Sequence, residues 1–332
     1  MKAWVLYGPG DLRAEERPVP KPKEGEALLK VAAAGVCGSD IPRIYETGAH
    51  VHPIIPGHEF AGTVTDCADA SLAGARVGVF PLIPCLACAP CLRKEYELCR
   101  NYSYLGSRRD GGFAEYVTVP VRNLLKLPDD VPFERAACLE PLSVAVHAAR
   151  RAAVTPEDSA VVIGLGTIGL FVTAYLLSLG VGDVTVVGNK EFQREKALEL
   201  GASRYLDTRM ASAAGDVVFE CVGRSETAAL AIECAAPGGR VVMAGNPAAD
   251  MRFPRDAYWK LLRNQLTVRG TWNSSFTGEE ADDWHEALRF LQSRGEAASR
   301  VITHRFPPEE LERGLRIMRD KTEPYGKIMI LR

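Results

Sequence analysis

Four thiols stand in one short stretch, CLACAPCLRKEYELC at residues 85–99, as Cys85, Cys88, Cys91 and Cys99 in a C-x2-C-x2-C-x7-C spacing. Thiolates so near in sequence let one tight loop wrap a single ion tetrahedrally, and four sulfurs close its coordination sphere, so no position remains for a substrate. The chemistry expected is structural zinc binding. A ferredoxin-type run has x3 before its fourth cysteine and a proline after it, whereas x7 precedes Cys99 and Arg100 follows it. A zinc ribbon that grips DNA needs two separated knuckles on a basic surface. Packing as plain core cysteines is disfavoured by the polarity of CLRKEYELC.

Substrate chemistry needs another centre, and three dispersed segments offer donors: GVCGSD at 35–40, PGHEF at 56–60 and LEPLSVAVHA at 139–148. Cys37, His58 and Glu140 would give sulfur, nitrogen and oxygen and leave a position open for an alcohol or water, as a catalytic zinc requires. Spacing alone does not join them, because a lone buried Cys or His is commonly just packed.

A third pattern, VVIGLGTIG, puts Gly164, Gly166 and Gly169 in G-x-G-x-x-G register, after a strand-like run and before a helix-like one. Gly164 permits the tight turn, Gly166 lets backbone approach a pyrophosphate, and Gly169 allows close packing of helix on strand. Thr167 and Ile168 open the helix whose free N–H groups would face the anion. Val222, Gly223 and Gly245 fall at later strand ends, toward the nicotinamide end of the same crevice. An NAD site carries Asp or Glu about twenty residues past the fingerprint to bind ribose hydroxyls. Here the second strand ends in Gly188-Asn189-Lys190. A small residue, an amide and a cation suit a 2′-phosphate with Lys190 and Arg194 as counter-ions, so NADP is expected; NAD is the alternative, with Lys190 only opening a surface helix.

These residues need elements to carry them. A chain of 332 residues, 47% hydrophobic and 25% charged, has material for two domains and is not disordered or fibrous. Forty basic residues against 42 acidic ones, a net charge of -2, give no electrostatic reason to expect nucleic acid or an anionic membrane, so the partner expected is a small molecule. The opening MKAWVLYGPG lacks the pattern of a secretory signal, and nine cysteines read better as ligands and core residues in a reducing compartment than as disulfides, so a cytoplasmic location is expected. The uncharged run at 159–182 is long enough for a bilayer, but its glycines break it into a strand, a turn and a buried helix.

Up to about residue 135, short β-rich runs (EALLKVAAAGVC, EFAGTVTDC, ARVGVF, GGFAEYVTVP) alternate with Gly and Pro turns. Strands at 160–163, 184–187, 217–220, 240–244 and 267–270 then alternate with helices at 168–179, 191–200, 225–235 and 254–263, the spacing of a doubly wound parallel sheet. LDTRMASAAGDVVFE is short for a strand–helix–strand unit, and a helix is expected to be missing there. Helices at 282–294 and 308–320 precede GKIMILR, a strand expected to return to the first domain. The divisions expected are 1–140 with a zinc lobe at 84–100, then 141–273, then a return over 274–332.

In this order CGSD, GHEFAG, the four-cysteine lobe, GGFAEY, EPLSVAVHA and the glycine fingerprint make the chain resemble the zinc-containing medium-chain dehydrogenase/reductase family over nearly its full length. The resemblance implies a mostly β GroES-like catalytic domain split around an α/β Rossmann domain, with two zinc ions per chain. It implies that Cys37, His58 and a carboxylate at Glu59 or Glu140 surround the catalytic zinc, that Ser39 hydrogen-bonds the substrate hydroxyl, and that Asp40 stands behind His58. Glu140 is similar to the ligand position of the sorbitol-type polyol branch, while CGSDIPRIYETGAHVHP and GSRRDGGFAEY are similar to galactitol-1-phosphate 5-dehydrogenases. The activity implied is hydride transfer between a secondary alcohol of a polyol or sugar phosphate and NADP(H), giving a ketone, in a homodimer or homotetramer. Alternatives are an NAD-dependent enzyme of the sorbitol/threonine type, a dinucleotide-binding zinc protein without turnover, and an iron–sulfur or nucleic-acid-binding protein built on the lobe. Arg43, Arg108 and Arg109 are candidates for a substrate phosphate, or else salt-bridge formers. His50 and His52 lie near the site loop in sequence and take no role from it.

Overall fold

In EALLKVAAAGV, small and aliphatic residues fill both sides of the strand Glu26–Val36, which lies at the centre of a seven-stranded sheet and is buried along most of its length. The structure, a computed structural model, describes residues 1–209, 212–247 and 249–332. It divides into two compact units, Met1–Glu140 with Ser275–Arg332, and Pro141–Ser274.

In the first unit Glu26–Val36 pairs antiparallel along one edge with Glu59–Cys67. Its other edge is shared by Tyr116–Pro120 near the start and the C-terminal strand Lys327–Leu331 near the end. Strands Ile302–Phe306, Arg76–Val79 and Leu124–Lys126 extend the sheet outward. Leu29, Val31, Val36, Phe60, Val64, Val77, Leu315 and Ile328 are among the side chains that form one buried core there. Of GGFAEYVTVP only Tyr116–Pro120 is strand, because Gly111 and Gly112 pack tightly on the turn before His58. The Gly112 N–H donates to Gly57 O at 2.8 Å, and a Cβ on Gly111 would lie 2.0 Å from that same oxygen.

The second unit holds six parallel strands in the order Arg204–Asp207, Asp183–Gly188, Ser159–Ile163, Gly215–Glu220, Ala235–Met243, Thr267–Gly270. This is the doubly wound order with its switch between Ser159–Ile163 and Gly215–Glu220. Val161, Ile163, Val187, Val218 and Val241 form its centre. The helix Thr167–Ser178 is apolar all round and buried from Gly169 to Leu176. Among the described residues no helix is long and apolar enough to cross a membrane.

Residues 208–209 and 212–214, the described part of the link from Arg204–Asp207 to Gly215–Glu220, contain no helix. The helix Ser225–Glu233 stops two residues earlier than its apolar pattern suggests, and strand Ala235–Met243 starts five residues earlier. The helix Asp283–Val301 runs past the expected end at 294, where Arg294 adopts non-helical φ -134 and ψ 25 and the chain continues helical beyond the kink.

Candidate active site

Strand register brings dispersed donors together. Gly35 pairs with Glu59 and Val36 with Ile328, so the end of one strand and the starts of its two neighbours meet at one end of the sheet. Cys37, His58 and Glu59 each bring a ligand atom there, and the three atoms lie within 4.8 Å of one another. The missing side chain at Gly35 makes room, because a Cβ would stand 2.2 Å from Glu59 Oε2.

The turn after Cys37 is locked by Asp40, which is fully buried. Its Oδ2 accepts the Cys37 N–H at 3.0 Å, and its Oδ1 takes an Arg43 N–H and lies 3.4 Å from His58 Nδ1. That last contact is an ion-pair separation without a well-formed hydrogen bond, so Nδ1 is a buried, unsatisfied nitrogen. With Nδ1 toward Asp40, Nε2 is the ring nitrogen left for a ligand role. Burial pushes the Asp40 carboxyl up, but the His58 ring, Arg43 and the Cys37 N–H outweigh it and bring its pKa down to about 2. Burial likewise opposes charging of His58, yet Asp40 and Cys37 hold that ring well above the ordinary histidine range. A half-buried thiol with a buried imidazole and a buried carboxylate, their ligand atoms within 4.8 Å of one another, suits a borderline ion such as zinc.

The two candidate carboxylates stand differently. Glu59 receives Lys327 Nζ on both oxygens, at 2.8 and 2.7 Å, and the same ammonium donates to Val36 O at 3.1 Å. Burial depresses the lysine's pKa, but Glu59 and Cys37 overcome this and raise it above the usual value. Glu140, in the first turn of helix Leu139–Ala152, lies outside the 4.8 Å trio. It accepts the Tyr104 hydroxyl at 3.2 Å, and Tyr104 in turn lies against His58 with ring centroids 5.8 Å apart. Burial drives the Glu140 pKa up to about 7, against the pull of His58. Ser39, at the N-cap of Asp40–Tyr45, is partly exposed and its hydroxyl caps nothing.

The lobe gathers its four cysteines as one group, with Cys88 Sγ 3.5 Å from Cys91 and 3.9 Å from Cys99, and Cys85 Sγ 4.0 Å from Cys91. Four thiolates at a zinc–sulfur distance of about 2.3 Å on tetrahedral corners stand about 3.8 Å apart, so the sulfurs are already spaced for such an ion. Backbone N–H groups of Ala87 and Cys88 bring the Cys85 thiol down to about 6, and burial pushes Cys91 up to about 12.

In the second unit, helix Thr167–Ser178 starts from Gly166, which has open space where a side chain would be, so no side-chain cap covers the first-turn N–H groups. Gly164, at φ +90, lies under Val222, whose Cγ2 would be 2.2 Å from an added Cβ, and Gly169 packs on Gly164 O. Glu220, which the sequence reading passed over, holds the neighbouring turn. Its Oε1 accepts Val222 N–H at 2.8 Å, Gly223 N–H at 2.9 Å and the Thr227 hydroxyl at 2.8 Å. Gly245 packs against Gly223 N. These open backbone edges at adjacent strand ends fit a dinucleotide. Gly188 lies close to Leu165 and Tyr205, Lys190 is the exposed N-cap of Glu191–Glu199 with no ion pair among the described residues, and Arg194 pairs with Glu191 at 2.6 Å.

Of the three arginines, Arg109 pairs with Glu26, Arg43 with Asp40, and Arg108 lies 4.9 Å over the Tyr102 ring. Lys327 and Tyr104, like Glu220, are site residues that sequence reasoning missed. A single cation in the apolar run KIMIL was the available signal for the first.

Residues 23–129 match the family model of the alcohol dehydrogenase GroES-like domain, and residues 167–293 that of zinc-binding dehydrogenase. Galactitol 1-phosphate 5-dehydrogenase of Escherichia coli strain K12 is 33% identical, with 100% of both chains covered. The crystal structure of the Escherichia coli galactitol-1-phosphate dehydrogenase matches with a TM-score of 0.93 at 33% identity over 100% of both chains. A Sinorhizobium meliloti 1021 structure described as a zinc-binding dehydrogenase bound to NADP matches at 0.90, with 26% identity over 100% of this chain and 99% of that one.

Proposed function

Because the chain belongs to the zinc-containing medium-chain family of alcohol and polyol dehydrogenases, we propose that it oxidises a secondary alcohol of a polyol, free or phosphorylated, to the ketone with NADP as hydride acceptor. The observation that carries this is the meeting of Cys37, His58 and Glu59, with Ser39 two residues past Cys37 and its hydroxyl making no cap hydrogen bond among the described residues. Cys37 and His58, with Glu59 or Glu140, would hold one zinc, and Cys85, Cys88, Cys91 and Cys99 a second. When bound, the catalytic ion supplies Lewis acidity toward the substrate hydroxyl, and the nicotinamide supplies a hydride acceptor.

The chain's own residues do the rest. Asp40 fixes the Cys37 backbone and sets its charge against His58 Nδ1, so both donors are placed before substrate arrives. Ser39 Oγ accepts the proton from the substrate hydroxyl and releases its own to water. Gly166 with Thr167, Ile168 and Gly169 receives the pyrophosphate, while Val222, Gly223 and Gly245 take the nicotinamide end, held open by Glu220. Gly188, Asn189 and Lys190 with Arg194 take the 2′-phosphate. The absence of a carboxylate there and the NADP in the Sinorhizobium meliloti structure support this choice over NAD. The strand Thr267–Gly270, exposed throughout at the sheet edge with Val268 and nearby Trp272 uncovered, would pair with a second copy in a homo-oligomer.

The test is a zinc-loaded sample assayed by nicotinamide absorbance with NADP and NAD against hexitols, pentitols, inositols and their phosphates. Turnover with NADP preferred is expected. No absorbance change with either cofactor across the panel removes the reading, and a preference for NAD removes the cofactor assignment alone.

A further inference from the structure

Resting on the polyol dehydrogenase reading, we infer that Arg43, His50 and Arg108 form an anion subsite beside the candidate metal ligands, and that it takes the phosphate monoester of a phosphorylated polyol. Arg43 is mostly buried, with 16% of its side chain exposed, and donates to Asp40; its other N–H groups have no hydrogen-bond partner among the described residues. Asp40 divides its charge between Arg43 and His58. Arg108 has no carboxylate partner among the described residues, and its guanidinium lies on the Tyr102 ring. The next residue, Arg109, is by contrast neutralised by Glu26, and Asp110 is occupied by the Ile55 N–H at 2.9 Å.

Two connections place this cationic group at the active site. The His50 N–H donates to Ser107 O at 3.1 Å, tying the loop after helix Asp40–Tyr45 to the turn that carries Arg108. Tyr102, under Arg108, lies 6.3 Å from Tyr104, whose ring lies 5.8 Å from His58 and whose hydroxyl meets Glu140. His50 and Arg108 are thus brought to one loop contact, and Arg43 lies in the helix that precedes His50. Burial, then Arg108 and Arg43, hold the His50 pKa below the usual value, and no carboxylate opposes them. Asp40 offsets Arg43 only in part, since it also faces His58, and a dianion bound by charge-assisted N–H contacts relieves the remaining repulsion among like charges. Planar guanidinium groups suit a phosphate's paired oxygens better than a carbon-bound hydroxyl. A free polyol offers this end of the site only uncharged hydroxyl acceptors.

The experiment is calorimetric titration of galactitol 1-phosphate and of galactitol into zinc-loaded, NADPH-saturated protein, a complex in which neither ligand can be oxidised. The ester is expected to bind at least about tenfold more tightly than the free polyol, the effect of one or more hydrogen bonds to a charged group. Arg108→Ala should shrink that ratio about fivefold or more, Arg108→Lys should retain part of it, and His50→Gln should cut it less. Equal affinity for the two ligands, binding of neither, or an Arg108→Ala variant that weakens both alike overturns the subsite. A preserved ester preference in a protein that turns over nothing leaves the subsite standing and removes the dehydrogenase reading instead.

Discussion

In the lobe, four sulfurs come from residues 85–99 and stand 3.5 to 4.0 Å apart where measured; at the sheet end, sulfur, nitrogen and oxygen come from residues 37, 58 and 59 through strand register. The lobe's four sulfurs need only their own loop to come together, and its N–H groups already lower the Cys85 thiol. Those at the sheet end depend on pairs outside the trio: Asp40 with Arg43 behind His58, and Lys327 behind Glu59. A closed set of identical donors gives rigidity, whereas mixed donors with outside support leave room for a substrate and place the tuning in second partners. The contrast predicts that damage to one site should be read in different quantities from damage to the other.

The most severe break is Cys37→Ser set beside Cys91→Ser. With Cys37 in its proposed role as a ligand of the catalytic ion, Cys37→Ser should lower kcat/KM by on the order of 10³-fold or more, since Lewis acidity contributes several kcal/mol. Its zinc content should fall from two per chain to one, with thermal stability nearly kept. Cys91→Ser should also lose one zinc, but lower the melting temperature and spare most of the activity per folded molecule, because structural zinc contributes folding free energy. Equal activity losses in the two variants would erase the distinction. Elemental analysis, calorimetry and steady-state kinetics on the same samples decide it.

Next in size is Lys327→Met. It leaves the Glu59 carboxylate buried without its cation, and breaking a buried pair in this way costs about 3–5 kcal/mol. Lys327→Met with Glu59→Gln should recover part of that loss, since neither charge remains. Denaturant unfolding of the single and double variants measures it, and a single variant within about 0.5 kcal/mol of wild type would show that the pair does not brace the site. Asp40→Asn should be smaller in stability yet lower zinc affinity or activity about 10–100-fold, the usual effect of removing a ligand's supporting partner. Competition with a chelator should detect it at the sheet end and leave the lobe's ion in place.

The same contrast explains what could be read in advance. Cys85 to Cys99 and Gly164 to Gly169 are local patterns whose spacing is itself the geometry, so the gathering of the four thiols and the glycine turn were legible in the sequence. Cys37 and His58 were visible as donors, but only family resemblance joined them, because no local pattern records that Gly35 pairs with Glu59. Lys327 lies 268 residues from its partner Glu59, beyond any periodicity argument. The parallel strands of the second unit were legible as apolar runs between helices, whereas the start of Ala235–Met243 was not, since Ala-Pro-Gly-Gly reads as a turn. Helix Asp283–Val301 outruns the expected end at 294, because the chain resumes helical geometry after the non-helical Arg294. Arg109 reads like Arg108 in SRRDGG, and only the placement of Glu26 separates a neutralised arginine from an unpaired one.

The finest division within the sheet-end site is between its two carboxylates, and Tyr104→Phe probes it. Tyr104 donates to Glu140 and not to Glu59, and removing that hydroxyl leaves the ring in place against His58. A lost hydrogen bond to a buried carboxyl contributes about 1 kcal/mol, so stability should fall by that order and kcat/KM by about five- to tenfold. If Glu140 takes part at the metal, the variant should also change zinc affinity at the sheet end, because the Tyr104 hydroxyl helps to set that carboxylate's orientation. If Glu59 alone serves, zinc affinity should stay put while Lys327→Met moves it. Zinc competition on the two variants therefore assigns the oxygen ligand between Glu59 and Glu140, and a Tyr104→Phe protein unchanged in stability, kinetics and metal affinity would remove Glu140 from the site.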